Sequence, residues 1–196
     1  MYVAKETGTE RSLCIENVLE DIVGGGIIEP DDFKTTTTVM GEGALVGAGA
    51  DGIYHLVKTA KIHENAASNA TAFKVKKAHE FLVGDVIIAS VITGCKAMAI
   101  TSIDTAQTDY DTLNIGTALG LAVTTADCLI QADAVNGTAG AAAYKYTPAG
   151  LALNAVDLTL DNKGCGIMCR GTVNESLLPY YVDSNVRNKL PLVRFV

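Results

Sequence analysis

The segments VGDVIIA at 83–89 and TADCLIQA at 125–132 decide how this chain folds. In each, a small residue and an aspartate, Asp85 or Asp127, stand just before a short apolar run. A chain needs that arrangement to turn tightly and re-enter a sheet as a buried strand. Neither segment carries a catalytic group. The pair therefore speaks for a β scaffold and only indirectly for function.

The stretch 73–133 reads as five short strands. Phe73 and Val75 alternate with lysines, 86–92 is nearly all apolar, Met98 and Ile100 alternate, Leu113 and Ile115 alternate, and 128–130 closes the set. Turns at this spacing predict a compact antiparallel, barrel-like module over 70–135. Beyond the Gly/Ala-rich link at 136–143, Leu151 and Leu153 share a strand face while Val156, Leu158 and Leu160 continue on a frame shifted by one, which predicts a β-bulge. Cys165, Ile167, Cys169, Gly171 and Val173 alternate again. The final KLPLVRFV at 189–196 is apolar to its last residue, with Val193 and Phe195 on one face and Leu192 on the other. Such a tail is expected to be tied down, in its own sheet or against a partner, so 144–196 reads as a β segment with a docking tail.

The first part, 1–62, reads as an N-terminal arm with a short helix and a hairpin. Ile15, Val18, Leu19 and Ile22 at helical spacing, with Glu16, Asn17, Glu20 and Asp21 opposite, predict the helix over 12–23, capped by Ser12 and ended by Gly24, Gly25 and Gly26. Pro30, Asp31 and Asp32 mark a turn, and the four threonines at 35–38 favour extended backbone with few apolar anchors, as in an arm or an edge. The segments 44–46 and 53–57 flank GAGADG, whose Asp51-Gly52 pair suits the positive φ angles of a hairpin turn. The expected fold is mainly β: a compact antiparallel barrel or sandwich with an extended N-terminal arm and one short helix.

Composition bounds the function. With 196 residues, 48% of them hydrophobic, the chain can bury a real core. Its charged fraction of 19% is below the roughly 25% usual for soluble domains, and Trp is absent. Such a bland surface is suited to being covered. A net charge of -7 argues against a nucleic-acid partner, because that affinity comes from Lys and Arg releasing counterions. The one basic cluster, Lys74, Lys76 and Lys77, reads as a solvated strand face. The first residues lack the basic start and apolar stretch of a secretion signal, and no apolar run approaches the roughly 18 residues of a membrane span. Synthesis in a host cytoplasm with no membrane partner is expected. Five scattered cysteines fit reduced, buried, small hydrophobes better than a disulfide framework.

No spacing points to chemistry. Cys165 and Cys169 on a strand would lie roughly 13 Å apart, too far for one zinc with bonds of about 2.3 Å. His55, His63 and His79 show no ligand spacing and no neighbouring nucleophile motif, and a triad assembled in space is open to any chain with these residue types. Asp104, Asp109, Asp111 and Asp127 offer oxygen ligands for calcium, but without EF-hand spacing they read as turn residues. No GK[ST] follows Gly24 to Gly26, which excludes a phosphate loop. Asn69, Asn136 and Asn174 begin N-x-[ST] triplets that mean nothing for glycosylation without a secretion signal. No catalytic residue, cofactor or metal is expected.

Four segments together carry a family likeness: FKVKKAHEFLVGDVI (73–87), KAMAITSIDTAQTDYDTLNIGTALG (96–120), NGTAGAAAYKYTPAG (136–150) and RGTVNESLLPYYV (170–182). Over roughly 70–196 the chain resembles head fibre and capsid decoration proteins of tailed bacteriophages. The resemblance implies a non-enzymatic virion protein on the outer capsid surface, stabilising the shell or anchoring a fibre. Its implied partners are the major capsid protein, copies of itself, with a trimer as the preferred closed form, and other head-fibre proteins. Leu192, Val193 and Phe195 are the candidate partner interface. A carbohydrate-binding or adhesin module is the alternative, weakened by 6% aromatics and no Trp. An enzyme ranks third.

Overall fold

The structure, a computed structural model, describes residues 14–91, 93–161 and 163–196. In chain order the strands are β1 (Ile15–Asp21), β2 (Gly26–Ile27), β3 (Val39–Met40), β4 (Leu45–Ala48), β5 (Tyr54–Leu56), β6 (Thr59–Lys61), β7 (Ala72–Lys76) and β8 (Val86–Ala89). They continue as β9 (Met98–Asp104), β10 (Tyr110–Ile115), β11 (Cys128–Gln131), β12 (Gly150–Ala152), β13 (Val156–Asp157), β14 (Gly164–Cys165), β15 (Ile167–Val173) and β16 (Val193–Phe195). A single-turn helix, α1 (Ser184–Arg187), and two 3-10 turns, Pro30–Asp32 and Glu175–Leu177, are the helical elements among the described residues. The protein is mainly β.

Two six-stranded sheets carry the fold. One runs β1-β15-β12-β4-β5 with β16 parallel on β15, and the other runs β6-β11-β8-β9-β10-β7. Neither closes into a barrel. The edge strands of the second sheet meet at one bridge, Ile62 to Val75, and one hydrogen bond from His63 N to Lys74 O at 2.8 Å, where the pairing stops. Of the two expected architectures, the structure is consistent with a sandwich.

The five strands expected in 73–133 are β7 to β11, all in the second sheet. Ile92, at the end of the expected 86–92 run, lies outside the described residues. The two repeated segments pair with each other: Leu129 faces Ala89, Ile130 faces Ile88 and Gln131 faces Ile87. Their turns match as well. The Leu82 amide donates to Asp85 Oδ2 at 2.9 Å and the Thr124 amide to Asp127 Oδ2 at 2.8 Å. Each aspartate amide returns a bond to the carbonyl of that same residue, Leu82 or Thr124, closing the turn. Gly84, at φ +96, supplies the left-handed step in the first turn that a side chain would resist.

Strict alternation explains how the first sheet is buried on both sides. Leu45, Leu151 and Met168 point into the core shared with the second sheet, beside Ile87, Leu113 and Leu129. Their neighbours Val46, Ala152 and Ile167 point the other way, into a smaller core with Ile28, Phe33 and Met40. Two short ladders, β3 with β13 and β2 with β14, belong to the segments that supply this second core.

Three expectations are corrected. The helix over 12–23 is instead strand β1, and Ser12 lies outside the described residues. Helical spacing arose because Val18 and Leu19 are exposed, at 43% and 62%, and so do not mark a buried stripe. The ladder of β1 on β15 contains three register shifts, which break simple alternation. Gly24 and Gly25, both at positive φ, turn the chain from β1 to β2. The one short helix is α1. The bulge expected at 151–160 is a change of pairing: β12 pairs with β15 and β4, whereas β13 pairs with β3 in a separate two-stranded ladder. The threonine segment, expected to run extended as an arm or an edge, instead turns at Thr35 and Thr36, and Thr37 is anchored to Glu80. The hairpin expected around Asp51-Gly52 is present as β4 and β5, and β1, β4 and β5 share a sheet with β12, β15 and β16.

Candidate functional site: exposed edges and buried polar clusters

The end of the chain forms β16, whose Val193 and Phe195 lie beside Gly171 and Val173 of β15. Val193 is buried in the main core, and Phe195 packs against that core with the Arg187 guanidinium 5.8 Å from its ring. Leu192 points out, 58% exposed. Of the three expected interface residues, Leu192 is the one with a free surface, while Val193 and Phe195 tie the tail to its own sheet.

Further exposed apolar side chains lie on β1, the turn after it and β2. Val18, Leu19, Val23 and Ile27 are exposed, Val23 at 98%. Strand β1 is the outer strand of its sheet, flanked on one side by β15. Its carboxylates Glu16, Glu20 and Asp21 are exposed beside them. Charges and register shifts on an outer strand discourage open-ended sheet growth.

Between the sheets' ends lies a groove of about 530 Å³, lined by Leu178, Pro179, Tyr180, Tyr181, Lys61 and Val196 among others. The Lys61 ammonium sits 4.3 Å from the Tyr181 ring centroid, a cation–π contact that covers the aromatic face. Tyr181 OH donates to Ala126 O at 3.2 Å and Tyr180 OH to Glu80 Oε1 at 3.3 Å. Burial and the Glu80 carboxylate push the Tyr180 phenol far up, so it stays a donor.

Inside, ionisable side chains form separate clusters. Glu80 accepts from Thr37 Oγ1 at 3.1 Å, Lys34 N at 2.8 Å and Tyr180 OH. Its neighbour His79 bonds Asp111, which also pairs with Lys77 Nζ at 2.7 Å. His55 Nδ1 lies 2.9 Å from the buried Asp32 carboxylate and its ring stacks on Tyr146 with centroids 4.0 Å apart. Desolvation raises the Asp32 carboxyl above its ordinary range against the pull of His55. Ser90 Oγ donates to Asp183, whose other oxygen caps α1 through the amides of Asn185 and Val186. Lys58 Nζ donates to Asp85 Oδ2 at 2.9 Å and Gln131 Nε2 to Asp85 Oδ1 at 2.8 Å.

These positions sort the sequence candidates. No group of three or more His, Cys, Asp or Glu among the described residues is placed to hold a metal ion. All five cysteines are free, four of them buried and Cys169 half-buried. Asp104 and Asp127 are turn residues, bonding the Ala106 and Thr124 amides. Asp111 is not: it sits buried on β10 between Lys77 and His79. Lys77 is exposed, as expected, and pairs with the buried Asp111, while Lys74 pairs with Glu64 at 2.6 Å. Sequence reading missed Lys58 and Gln131: Gln131 is the single polar residue of the apolar run 128–132, a signal of a buried polar group, whereas Lys58, followed by Thr59 and Lys61, carries no such signal. Among the described residues no helix is long and apolar enough to cross a membrane.

Compared with protein-family models, with curated proteins and with solved structures, the chain matches none.

Proposed function

We propose that this protein is an auxiliary component of a tailed-phage virion, bound to the outer capsid surface as a decoration or head-fibre protein. The observation that carries the reading is the set of exposed apolar side chains on β1, the turn after it and β2: Val18, Leu19, Val23 and Ile27. Apolar side chains grouped this way mark surfaces that a partner covers. Leu192 and Val196 supply a second exposed apolar site at the other end of the chain. The partner is the major capsid protein, with copies of this chain around a local symmetry axis.

The likeness of residues 70–196 to such proteins and the mainly β fold support this reading. The acidic charge of -7 suits a position outside the shell, away from the packaged genome. Purified protein mixed with capsids lacking it is expected to sediment with them, and Val18→Asp with Leu19→Asp to abolish this. Failure of the wild type to co-sediment would sink the proposal.

A further inference from the structure

The cluster Lys58, Asp85 and Gln131 has a geometry that the docking role does not use. Lys58 is 3% exposed and Gln131 4% exposed. The Gln131 amide nitrogen of the backbone donates to Lys58 O at 3.1 Å, which sets the two residues side by side at the junction of β6 and β11. Asp85, at the turn before β8, places one carboxylate oxygen on each side chain: Oδ2 on Lys58 Nζ and Oδ1 on Gln131 Nε2. The Leu82 amide also donates to Oδ2 and fixes the carboxylate. Gln131 Oε1 is buried without a hydrogen-bond partner, so the carboxamide is held through its nitrogen alone.

We infer that Lys58 and Gln131 are joined by a self-catalysed isopeptide bond, with Asp85 as the catalytic carboxylate. The chemistry needs an amine, a carboxamide and a proton carrier shared between them in a site shielded from water. Asp85 takes a proton from the Lys58 ammonium, and the freed Nζ lone pair attacks Gln131 Cδ. A second Nζ proton passes through the carboxylate to Nε2 as the Cδ–Nε2 bond breaks. The leaving ammonia takes up the proton held by Asp85 and departs as ammonium. One amide bond forms as one breaks, no electron is transferred, and no co-reactant is consumed. The product ties the segment entering β6 to β11 within the sheet that holds the repeated segments.

The test is the denatured intact mass of the full chain. A value about 17 Da below the sequence mass, the loss of one ammonia, is expected. A tryptic digest should then yield one branched peptide joining positions 58 and 131. Lys58→Arg, Gln131→Met and Asp85→Asn should each return the full mass of the substituted sequence. A wild-type mass equal to the sequence mass after prolonged incubation overturns the inference. So does a loss of about 18 Da mapped to Lys58 and Asp85, a direct condensation of those two. So, finally, does ammonia loss mapped to Asn136-Gly137, where a succinimide would shed the same mass. The wild-type measurement decides alone, so a misfolded variant does not blunt it. The bond stands or falls independently of capsid binding.

Discussion

His79 Nε2 donates to Asp111 Oδ2 across 3.1 Å, and the tautomer is fixed because His79 Nδ1 accepts from the Phe81 amide at 3.2 Å. Burial, and then the Lys34 ammonium, hold the imidazole neutral and lower its pKa to about 4, against the favourable pull of Asp111. In the unfolded chain the same group titrates near 6.5. Between the two values the unfolded state binds a proton that the folded state refuses. Stability is therefore full above about pH 6.5 and is lost as pH falls towards 4, by about 3 kcal/mol for this group. Urea denaturation at pH 7.5, 5.5 and 4.5 checks it. The loss should shrink in His79→Gln, and an identical pH slope in the two proteins would refute the assignment.

Glu80 holds three donors from two distant parts of the chain: the backbone of Lys34 and the Thr37 hydroxyl from one, and the Tyr180 phenol from the other. Glu80→Ala strands all three donors and should cost about 3 kcal/mol. Thr37→Val removes one and should cost about 1 kcal/mol. Chemical denaturation midpoints of the two variants measure the difference, and equal midpoints would show that Thr37 is not held by this carboxylate.

Gly171 on β15 faces Val18 of β1 with no room for a side chain. A Cβ there would press on the Asn17 carbonyl oxygen and the Met168 sulfur. Backbone cannot yield as a side-chain tip can, so Gly171→Ala should lose about 2 kcal/mol. Increased hydrogen exchange of the β1 amides would place the loss at this seam; unchanged exchange and stability would contradict the packing.

At the end of the chain, two adjacent residues should separate folding from docking. Val193→Asp buries a charge in the core and should abolish soluble protein, as should deletion of residues 190–196, which removes the buried Leu190 and Val193. Leu192→Asp changes an exposed side chain and should leave the melting temperature within about 2 °C. In capsid co-sedimentation the same variant should bind less. Wild-type binding by Leu192→Asp would remove Leu192 from the proposed interface.

The strands of 73–133 were legible because alternation and turn chemistry are local. Asp85 and Asp127 each bond an amide three residues back, so four residues hold the whole signal. Strand β1 was not legible, because its apolar residues at 15, 18, 19 and 22 match a helix while two of them face outward. What fixed them as a strand was β15, about 150 residues away along the chain. Lysine at 58 reads as exposed from composition alone, yet Asp85 makes its burial tolerable.

The sequence alone determined the β class, the five strands of the repeated module and the hairpin at Asp51-Gly52. Each follows from side-chain periodicity, φ preference or spacing within a few residues. The tertiary structure alone decided that the sheets stay open, that Val193 and not Leu192 is buried, and that Lys58, Asp85 and Gln131 meet. Those outcomes depend on which strand lies beside which, and pairing is settled by burial and hydrogen bonding summed over the folded chain, which no short window contains.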